Sequence, residues 1–345
     1  MRTYIRAGLG YCVIILFVSA WAAGLRAADE SKPTLDPAIY GHIFHLGWVV
    51  RDLDPVLAYW EKMGVRNIQR DGVQDFPDTT YRGKKTPLSL KEAFCDFGGV
   101  EIEWIQPVKG RSVYDEFLSQ HGDGIQHVAF FVQSPEVLEQ QLKYFRARNV
   151  GVVQSGTWQG TKRLGHFAYL DTAPTGGGVT IELCDDPDAR PFSSRVSPNA
   201  YPFNNVVRFS MVVGDVKQVA SYYRNLGFGE TVVQDGAYLD PSGKFNFRQG
   251  WWSWTNVPFE WVQPLTGPNL YEGYLEAHGD GMHHIAFKVK SADEAMTLMG
   301  AKGARLIDQG GGWTSPGCRG HFVYVDTQSH GGVVIELAWD VSIQK

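Results

Sequence analysis

The chain of 345 residues is poor in cysteine, carries no large excess of one charge and has only one long apolar run. Of its four cysteines, Cys12 lies in that run, and the spacing of Cys95, Cys184 and Cys318 implies no disulfide framework. We interpret those three as small apolar residues of strands. With 32 Lys and Arg against 37 Asp and Glu and no dense basic block, the chain lacks the electrostatic footprint of a nucleic-acid-binding protein.

The apolar run lies at the N-terminus and predicts a signal peptide over residues 1–28. Arg2 and Arg6 precede apolar residues 11–23, and small residues follow near Ala27. The run is shorter than the ~20 residues that span a bilayer, although an uncleaved membrane anchor is the alternative. We therefore expect an exported, periplasmic or secreted protein without stable membrane insertion after cleavage.

The chain is rich in hydrophobic and aromatic residues, which a packed core needs, and in the glycine and proline of turns. Hydrophobic residues make up 43% of it, with 11 Trp, 15 Tyr and 19 Phe, which excludes general disorder. The 39 Gly and 17 Pro indicate many turns.

An internal repeat organises the sequence. Residues 103–130 recur at 260–287 with about half of the positions identical. Shorter matches extend the repeat, at 165–172 with 320–327 and at 177–183 with 331–337. We predict one domain at 40–186, a proline-rich linker at 187–203 and a second domain at 204–340.

Four side chains of the first domain stand out because each lies on a different predicted strand. They are His45, Glu103, His127 and Glu182. Acids and histidines are costly to bury in apolar strands unless they are paired or bind a metal. Two imidazoles and two carboxylates suit a divalent Ni, Co, Mn, Zn or Fe ion. Taken singly, each of the four could equally be a hydrogen-bonded core residue.

Glu101 is an alternative to Glu103, since residues two apart share one face of a strand. The repeat favours Glu103, which recurs as Glu260, whereas Glu101 aligns with Pro258.

The motifs around these residues are Glu-[apolar]₂-Gln-Pro, Gly-Asp-Gly-x-x-His-[apolar]-Ala-Phe and Gly-Val-x-Ile-Glu-Leu. In this order the sequence resembles the vicinal oxygen chelate (VOC) superfamily, and most of all its methylmalonyl-CoA epimerase and metal-dependent glyoxalase I branch. The resemblance implies an α+β fold of two tandem VOC domains, each built of paired βαβββ units that form an open barrel. By position, it implies His45, Glu103, His127 and Glu182 as the metal ligands.

The second domain departs from the pattern at one position. It keeps Glu260, His284 and Glu336, but Arg208 stands where the first domain has His45. A guanidinium is permanently protonated and cannot ligate a metal, whereas it can pair with Glu260 or Glu336. We expect a metal-free second domain; the alternative is a three-ligand site with Arg208 turned away.

The resemblance further implies a metal that binds two oxygens of a small-molecule substrate while a carboxylate moves a proton. Glu182 is our first choice for that catalytic base and Glu103 the second. These features predict an isomerase or lyase of the glyoxalase/epimerase type. The alternatives are an extradiol-type ring-cleaving dioxygenase and a non-catalytic binding protein. An apolar strand edge on each barrel leaves homodimerisation open.

Three weaker features complete the predictions. Residues 71–88 are expected to form a long loop, either a lid or an ordinary solvated loop. His166 and His321 recur and would either line the cavities or make a shared structural hydrogen bond. His121 and His278 are expected in turns.

Overall fold

The computed structural model describes residues 35–189, 199–240, 243–267, 269–315 and 318–343. The predicted signal peptide and most of the predicted linker lie outside these residues. No helix in the described part of the chain is both long and apolar enough to cross a membrane. Cys95 and Cys184 are buried in strands, as the sequence suggested.

Two sheets, one from each repeat, carry the fold. The helices of the first repeat are α1 (Pro37–Tyr40), α2 (Leu53–Met63), α3 (Val113–His121) and α4 (Pro135–Arg146). Its strands are β1 (His45–Val49), β2 (Gln69–Phe76), β3 (Thr80–Tyr81), β4 (Lys84–Lys85), β5 (Leu88–Phe97), β6 (Val100–Lys109), β7 (Gly124–Phe131), β8 (Val152–Gln159), β9 (Leu164–Leu170) and β10 (Thr180–Asp185).

In its described residues, the second repeat has the same order of elements except for counterparts of α1 and of the hairpin β3–β4, and it adds a 3₁₀ turn. Its helices are α5 (Val216–Asn225), α6 (Leu270–His278) and α7 (Ala292–Gly300), with a 3₁₀ turn at Gln328–His330. Its strands are β11 (Val206–Val212), β12 (Val232–Asp240), β13 (Gly243–Trp252), β14 (Phe259–Thr266), β15 (Gly281–Lys288), β16 (Leu306–Ser315), β17 (Cys318–Val325) and β18 (Val334–Ile343). Each repeat is therefore a pair of βαβββ units, and the predicted fold class is confirmed.

Local sequence accounts for the ends of several helices. The hydroxyl of Ser112 accepts from the Asp115 backbone N–H and the Asp115 carboxylate accepts from the Ser112 N–H, so a capping box begins α3. Pro135 follows the N-cap Ser134 in the first turn of α4. Gly64 ends α2 with a φ of 108°, a conformation that favours glycine.

The two sheets differ in closure. The second closes into a barrel in the order β11-β14-β13-β12-β16-β17-β18-β15. The first runs β2-β5-β6-β1-β7-β10-β9-β8-β3-β4 and stays open. In the second sheet β16, the counterpart of β8, pairs with β12 and closes the barrel. In the first sheet the hairpin β3–β4 pairs with β8 on that side instead. The open barrel implied by the resemblance therefore describes the first domain, whereas the second is closed.

The prediction of a long loop over residues 71–88 was wrong. This segment contains the end of β2, the hairpin β3–β4 and the start of β5. Arg82 and Gly83 both have positive φ, 45° and 76°, as a two-residue hairpin turn requires. The segment is rich in charged residues, which hid the strands from a reading based on apolar alternation.

The two domains contact each other through reciprocal interactions of the repeated motifs. His121 Nδ1 lies 2.5 Å from the carbonyl oxygen of His278, and His278 Nδ1 lies 2.7 Å from that of His121. Both histidines are the last residues of helices, α3 and α6, and not turn residues as predicted. A Cβ at Gly332 would overlap the backbone of Asp123, and the repeat-related Gly178 meets Asp280 in the same way.

Candidate metal centre

Four neighbouring strands place the predicted ligands on one inner face. His45, Glu103, His127 and Glu182 lie on β1, β6, β7 and β10, which stand side by side in the order β6-β1-β7-β10. Gly47 is the register partner of both Glu103 and His127. A Cβ at Gly47 would overlap the His127 imidazole, so glycine leaves the space in which that ring turns inward.

The four side chains meet at one point. His45 Nε2 lies 3.0 Å from Glu103 Oε2, 3.0 Å from Glu182 Oε2 and 3.3 Å from His127 Nε2. His127 Nε2 lies 3.1 Å from Glu182 Oε2 and 3.8 Å from Glu103 Oε2. His45, His127 and Glu182 are buried, and the Glu103 side chain is 13% exposed. The structure thus brings together every residue that the sequence predicted as a ligand.

A hydrogen-bonded pair that sequence reasoning missed orients His127. The oxygen of Gln126 accepts from His127 Nδ1 at 2.8 Å, and the Gln126 amide donates to Thr180 Oγ1 at 3.0 Å. Because an amide oxygen only accepts, the proton of neutral His127 resides on Nδ1 and the Nε2 lone pair faces the centre. The Gln-His dipeptide of the strand was the available signal.

The pKa values of the histidines and carboxyls in this group depend on one another. Burial lowers the pKa of His45, but the charges of Glu103 and Glu182 outweigh it and raise that pKa to about 10. Burial raises the pKa of both carboxyls, whereas His45 and His127 outweigh it and hold the two pKa values below the ordinary range. The two carboxylates therefore need positive charge at this point.

The donor set fits a divalent cation. Metal bonds of about 2.0–2.2 Å to nitrogen and oxygen place adjacent ligand atoms roughly 3 Å apart, and four of the five separations above are 3.0–3.3 Å. All four donor atoms lie within 4.8 Å of one another. In the described part of the chain, this is the one group of three or more His, Cys, Asp or Glu donors so placed. Its mixed nitrogen and oxygen chemistry does not select one metal.

A cavity of about 630 Å³ opens from this centre between β2 and β8. Besides the two carboxylates of the centre, six acids line it: Asp71, Asp75, Glu92, Glu101, Asp186 and Asp188. Two buried tyrosines at its base, Tyr114 and Tyr169, share a hydroxyl–hydroxyl hydrogen bond of 2.6 Å. Residues 71–76 therefore border the cavity as part of a strand, whereas the sequence suggested a loop.

Glu92 is a buried acid that the sequence did not single out. It lies on β5 and is 8% exposed. Burial, and after it the charges of Glu103 and Asp71, raise its pKa well above the ordinary value. There was little sequence signal for it, because β5 also contains a serine, a lysine and a second acid, Asp96.

The structure also bears on two questions that the sequence left open, the choice between Glu101 and Glu103 and the role of His166 and His321. Glu101 lines the cavity, but Glu103 supplies the carboxylate of the central group. His166 is absent from the cavity wall and places Nδ1 3.0 Å from the buried carboxylate of Asp185, which also pairs with Arg163. The corresponding His321 stacks on Trp339, which stands at the position of Asp185, so the contact between His166 and Asp185 is not repeated in the second domain.

In the second domain a guanidinium occupies the centre. Arg208 Nε lies 3.1 Å from Glu260 Oε2, and Arg208 Nη2 contacts Glu336 Oε1. His284 Nε2 lies 2.9 Å from Glu336 Oε2. Burial raises the pKa of Glu336, but Arg208 outweighs it and lowers that pKa below the ordinary value. Arg208 is thus turned inward, and the alternative in which it turns away is wrong.

Two further residues hold Glu260 in place. Ser210, at the position of Gly47, donates its hydroxyl to Glu260 Oε2 at 2.7 Å. Gln249 occupies the position of Glu92, and its amide donates to Glu260 Oε1 at 3.2 Å.

Comparison with known proteins places the chain in a family. The family model described as "Glyoxalase/Bleomycin resistance protein/Dioxygenase superfamily" matches residues 44–192 and 209–324. An uncharacterized protein of Bacillus subtilis (strain 168), YqjC, is 24% identical over 135 residues, which cover 39% of this chain and 91% of that protein.

Solved structures show the same fold. A mutant of 4-hydroxymandelate synthase from Streptomyces coelicolor superimposes with a TM-score of 0.58 at 12% identity, over 87% of this chain and 92% of that one. A xylose isomerase-like TIM barrel/4-hydroxyphenylpyruvate dioxygenase fusion protein gives a TM-score of 0.50 at 12% identity, over 90% of this chain and half of that one. At such identities the likeness concerns the fold alone. The family match covers both repeats, and the chain belongs to the Glyoxalase/Bleomycin resistance protein/Dioxygenase superfamily.

Proposed function

We propose that this protein is an exported, metal-dependent isomerase or lyase of the glyoxalase/epimerase type. Its substrate is a small carbonyl or hydroxy-carbonyl compound, and the reaction is a proton transfer. The observation that supports this function is the convergence of His45, Glu103, His127 and Glu182 at the base of a cavity. Export rests on the predicted signal peptide of residues 1–28.

A divalent ion held by these four residues would supply Lewis acidity, which lowers the pKa of a C–H bond next to the substrate oxygens. The chain's own residues do the rest. Glu182 is the proposed base, since its carboxylate lies at the cavity base with Oε2 directed at both histidines. Glu103 is the second choice, and its side chain is the more open of the two to the cavity. Gln126 holds the His127 ring in position.

A ring-cleaving or related dioxygenase is the second candidate, and the likeness to the 4-hydroxyphenylpyruvate dioxygenase fusion protein favours it. Dioxygenase sites of the two-histidine, one-carboxylate kind leave three metal positions open for substrate and O₂. Here a second carboxylate, from Glu103, joins the group and leaves fewer positions. We therefore rank proton transfer first.

Hydrogen–deuterium exchange tests the proposal. The full chain loaded with Co²⁺ or Ni²⁺ is incubated with hydroxyacetone or dihydroxyacetone in D₂O, and loss of the C–H signals is followed by NMR. We expect exchange above the buffer rate. Compared at equal metal occupancy, Glu182→Gln should slow it by about 10²–10⁴-fold, the usual contribution of a positioned base. Glu139→Gln, an exposed surface change, is the matched control.

Each other outcome has a definite meaning. Full exchange by metal-loaded Glu182→Gln would remove Glu182 as the base. Bound iron with O₂ uptake on catechols would favour the dioxygenase. Metal binding without exchange or O₂ uptake on any probe would favour a non-catalytic binding protein.

A further inference from the structure

Glu92 is a buried carboxylate that faces the cavity and has no partner. It is 8% exposed and lines the cavity together with Leu90 and Phe94, the residues on the same face of β5. Among the described residues, no hydrogen-bond donor or cation pairs with its carboxylate. Leaving a buried carboxylate unpaired is costly, so Glu92 holds its charge best when a cation from outside the chain pairs with it.

Apart from His45 of the centre, the ionisable side chains of the described residues that line the cavity around Glu92 are carboxyls, tyrosine hydroxyls and the Cys184 thiol. Six carboxyl side chains line the cavity besides those of Glu103 and Glu182, and no Lys or Arg of the described chain does. Asp71 and Asp75 accept only from neutral donors, Gln69 Nε2 at 2.8 Å and Ser89 Oγ at 2.6 Å. Because a divalent ion would be neutralised by the carboxylates of Glu103 and Glu182, the charges of Asp71 and Asp75 leave a negative field in the part of the cavity lined by β2 and β5.

The basic residues of β2 and β5 lie on the face of the sheet opposite the cavity. Arg70 of β2 pairs with Glu61 at 2.8 Å, and Lys91 of β5 pairs with Asp54 at 2.7 Å. Both acids belong to α2, which packs against the outer face. The alternation of these strands thus directs positive charge outward and negative charge into the cavity.

The second domain shows that a carboxylate is dispensable at this position for folding. Gln249 is fully buried there, and its amide donates to Glu260. A glutamine could serve the same structural purpose in the first domain, yet the first domain carries an unpaired carboxylate facing an open cavity.

We propose that the substrate carries a protonated amine beside its pair of metal-binding oxygens, and that Glu92 receives this amine. The inference rests on the proposed function, in which the substrate chelates the metal through two oxygens. The aromatic walls of the cavity, such as Phe76 and Trp158, add faces that attract an ammonium group. Anionic substrates are disfavoured by the same field.

Three hydroxamic acids of similar length test the proposal, because each offers the same pair of chelating oxygens with a different charge. They are β-alanine hydroxamate (cationic), butyrohydroxamate (neutral) and succinic monohydroxamate (anionic). Affinities for the Co²⁺-loaded full chain are measured by calorimetry. We expect the cation to bind at least tenfold tighter than the neutral ligand and the anion to bind most weakly. Glu92→Gln should remove the tenfold preference and leave the affinity for butyrohydroxamate and the Co²⁺ content unchanged.

The outcomes separate this proposal from the one on which it rests. Equal affinities, a preference for the anion, or a preference that survives in Glu92→Gln would overturn the role of Glu92 while chelation stands. Failure of all three ligands to bind the Co²⁺-loaded chain would count against the proposed function itself.

Two controls keep the test decisive. Glu139→Gln makes the same chemical change on the exposed face of α4 and should behave as the wild type. If Glu92→Gln does not fold, the wild type is measured at increasing salt. The advantage of the cation must then shrink as ions screen the cavity, and an advantage that does not depend on salt would contradict the proposal.

Discussion

The two domains share their strand arrangement and three of the four central side chains, yet their centres solve the same electrostatic problem in different ways. In each, two buried carboxylates converge, Glu103 with Glu182 and Glu260 with Glu336. Converging buried carboxylates require positive charge. The second domain supplies it from within the chain through Arg208, whereas the first offers two imidazoles around a point that a metal ion fits.

The substitutions around the centres follow from that difference. Gly47 in the first domain leaves room for the inward imidazole, and its counterpart Ser210 hydrogen-bonds Glu260. Glu92 lines an open cavity, and its counterpart Gln249 is fully buried. The second barrel is closed by the β12–β16 pair. The first domain thus has a donor group and a cavity that a ligand could occupy, whereas the corresponding side chains of the second pair with one another.

Besides the three central side chains, some of the residues that stay constant between the domains lie at their mutual contact. His121, His278 and the glycine pairs interlock across the two repeats. Their recurrence therefore reflects packing between the domains and not chemistry. Four predictions sharpen these comparisons.

The largest effect is expected from making the first centre like the second. His45→Arg places a guanidinium where it can pair with Glu103 and Glu182, so the chain should fold but bind no metal. Elemental analysis and circular dichroism measure the two properties. Retention of stoichiometric metal in this variant would contradict the parallel between the centres.

Removing the guanidinium from the second centre should cost stability without affecting metal content. Arg208→Met removes the buried cation that Glu260 and Glu336 share, and the free energy of unfolding should fall by about 3–5 kcal/mol. Urea denaturation measures the loss. Arg224→Met, at an exposed Arg224–Glu230 pair, is the control and should change the free energy by less than about 1 kcal/mol.

Adding one methyl group at the contact between the domains should destabilise both repeats alike. Gly332 and Gly178 have φ values of 79° and 81°, and a Cβ at either would overlap the backbone of Asp123 or Asp280. Gly332→Ala and Gly178→Ala should each lower the free energy of unfolding by about 2–4 kcal/mol. Gly300→Ala, whose Cβ would meet nothing, should not. A neutral result at Gly332 or Gly178 would contradict the close contact.

The smallest effect is expected from the residue that orients His127. Gln126→Leu removes the acceptor at His127 Nδ1 and should weaken metal affinity by about 10–100-fold. Titration with a competing chelator measures the affinity. Gln218→Leu, at an exposed position of α5, is the control. Unchanged affinity in Gln126→Leu would mean that the packing of the strand alone holds the ring.

Much of this architecture could be predicted from the sequence, because the repeat aligns the two domains residue by residue. The alignment distinguished Glu103 from Glu101 and exposed the exchange of His45 for Arg208. The end of α2 at Gly64 followed from the absence of a Cβ penalty at positive φ.

The remaining features depend on contacts between distant segments. The hairpin at Arg82–Gly83 lies in a charged stretch without apolar periodicity. The surroundings of Glu92 and the hydrogen bond from Gln126 to Thr180 depend on which strands become neighbours. The closure of the second barrel depends on the pairing of β12 with β16. The spacing of residues along the chain carries no such information.

The central claim is that a single metal site lies in the first domain while Arg208 takes its place in the second. Elemental analysis of the full chain after saturation with Co²⁺ and removal of excess ion tests it most directly. The wild type and Arg208→Met should each hold about one ion per chain, and His45→Ala none. An ion that persists in His45→Ala, two ions in the wild type, or none would contradict the account.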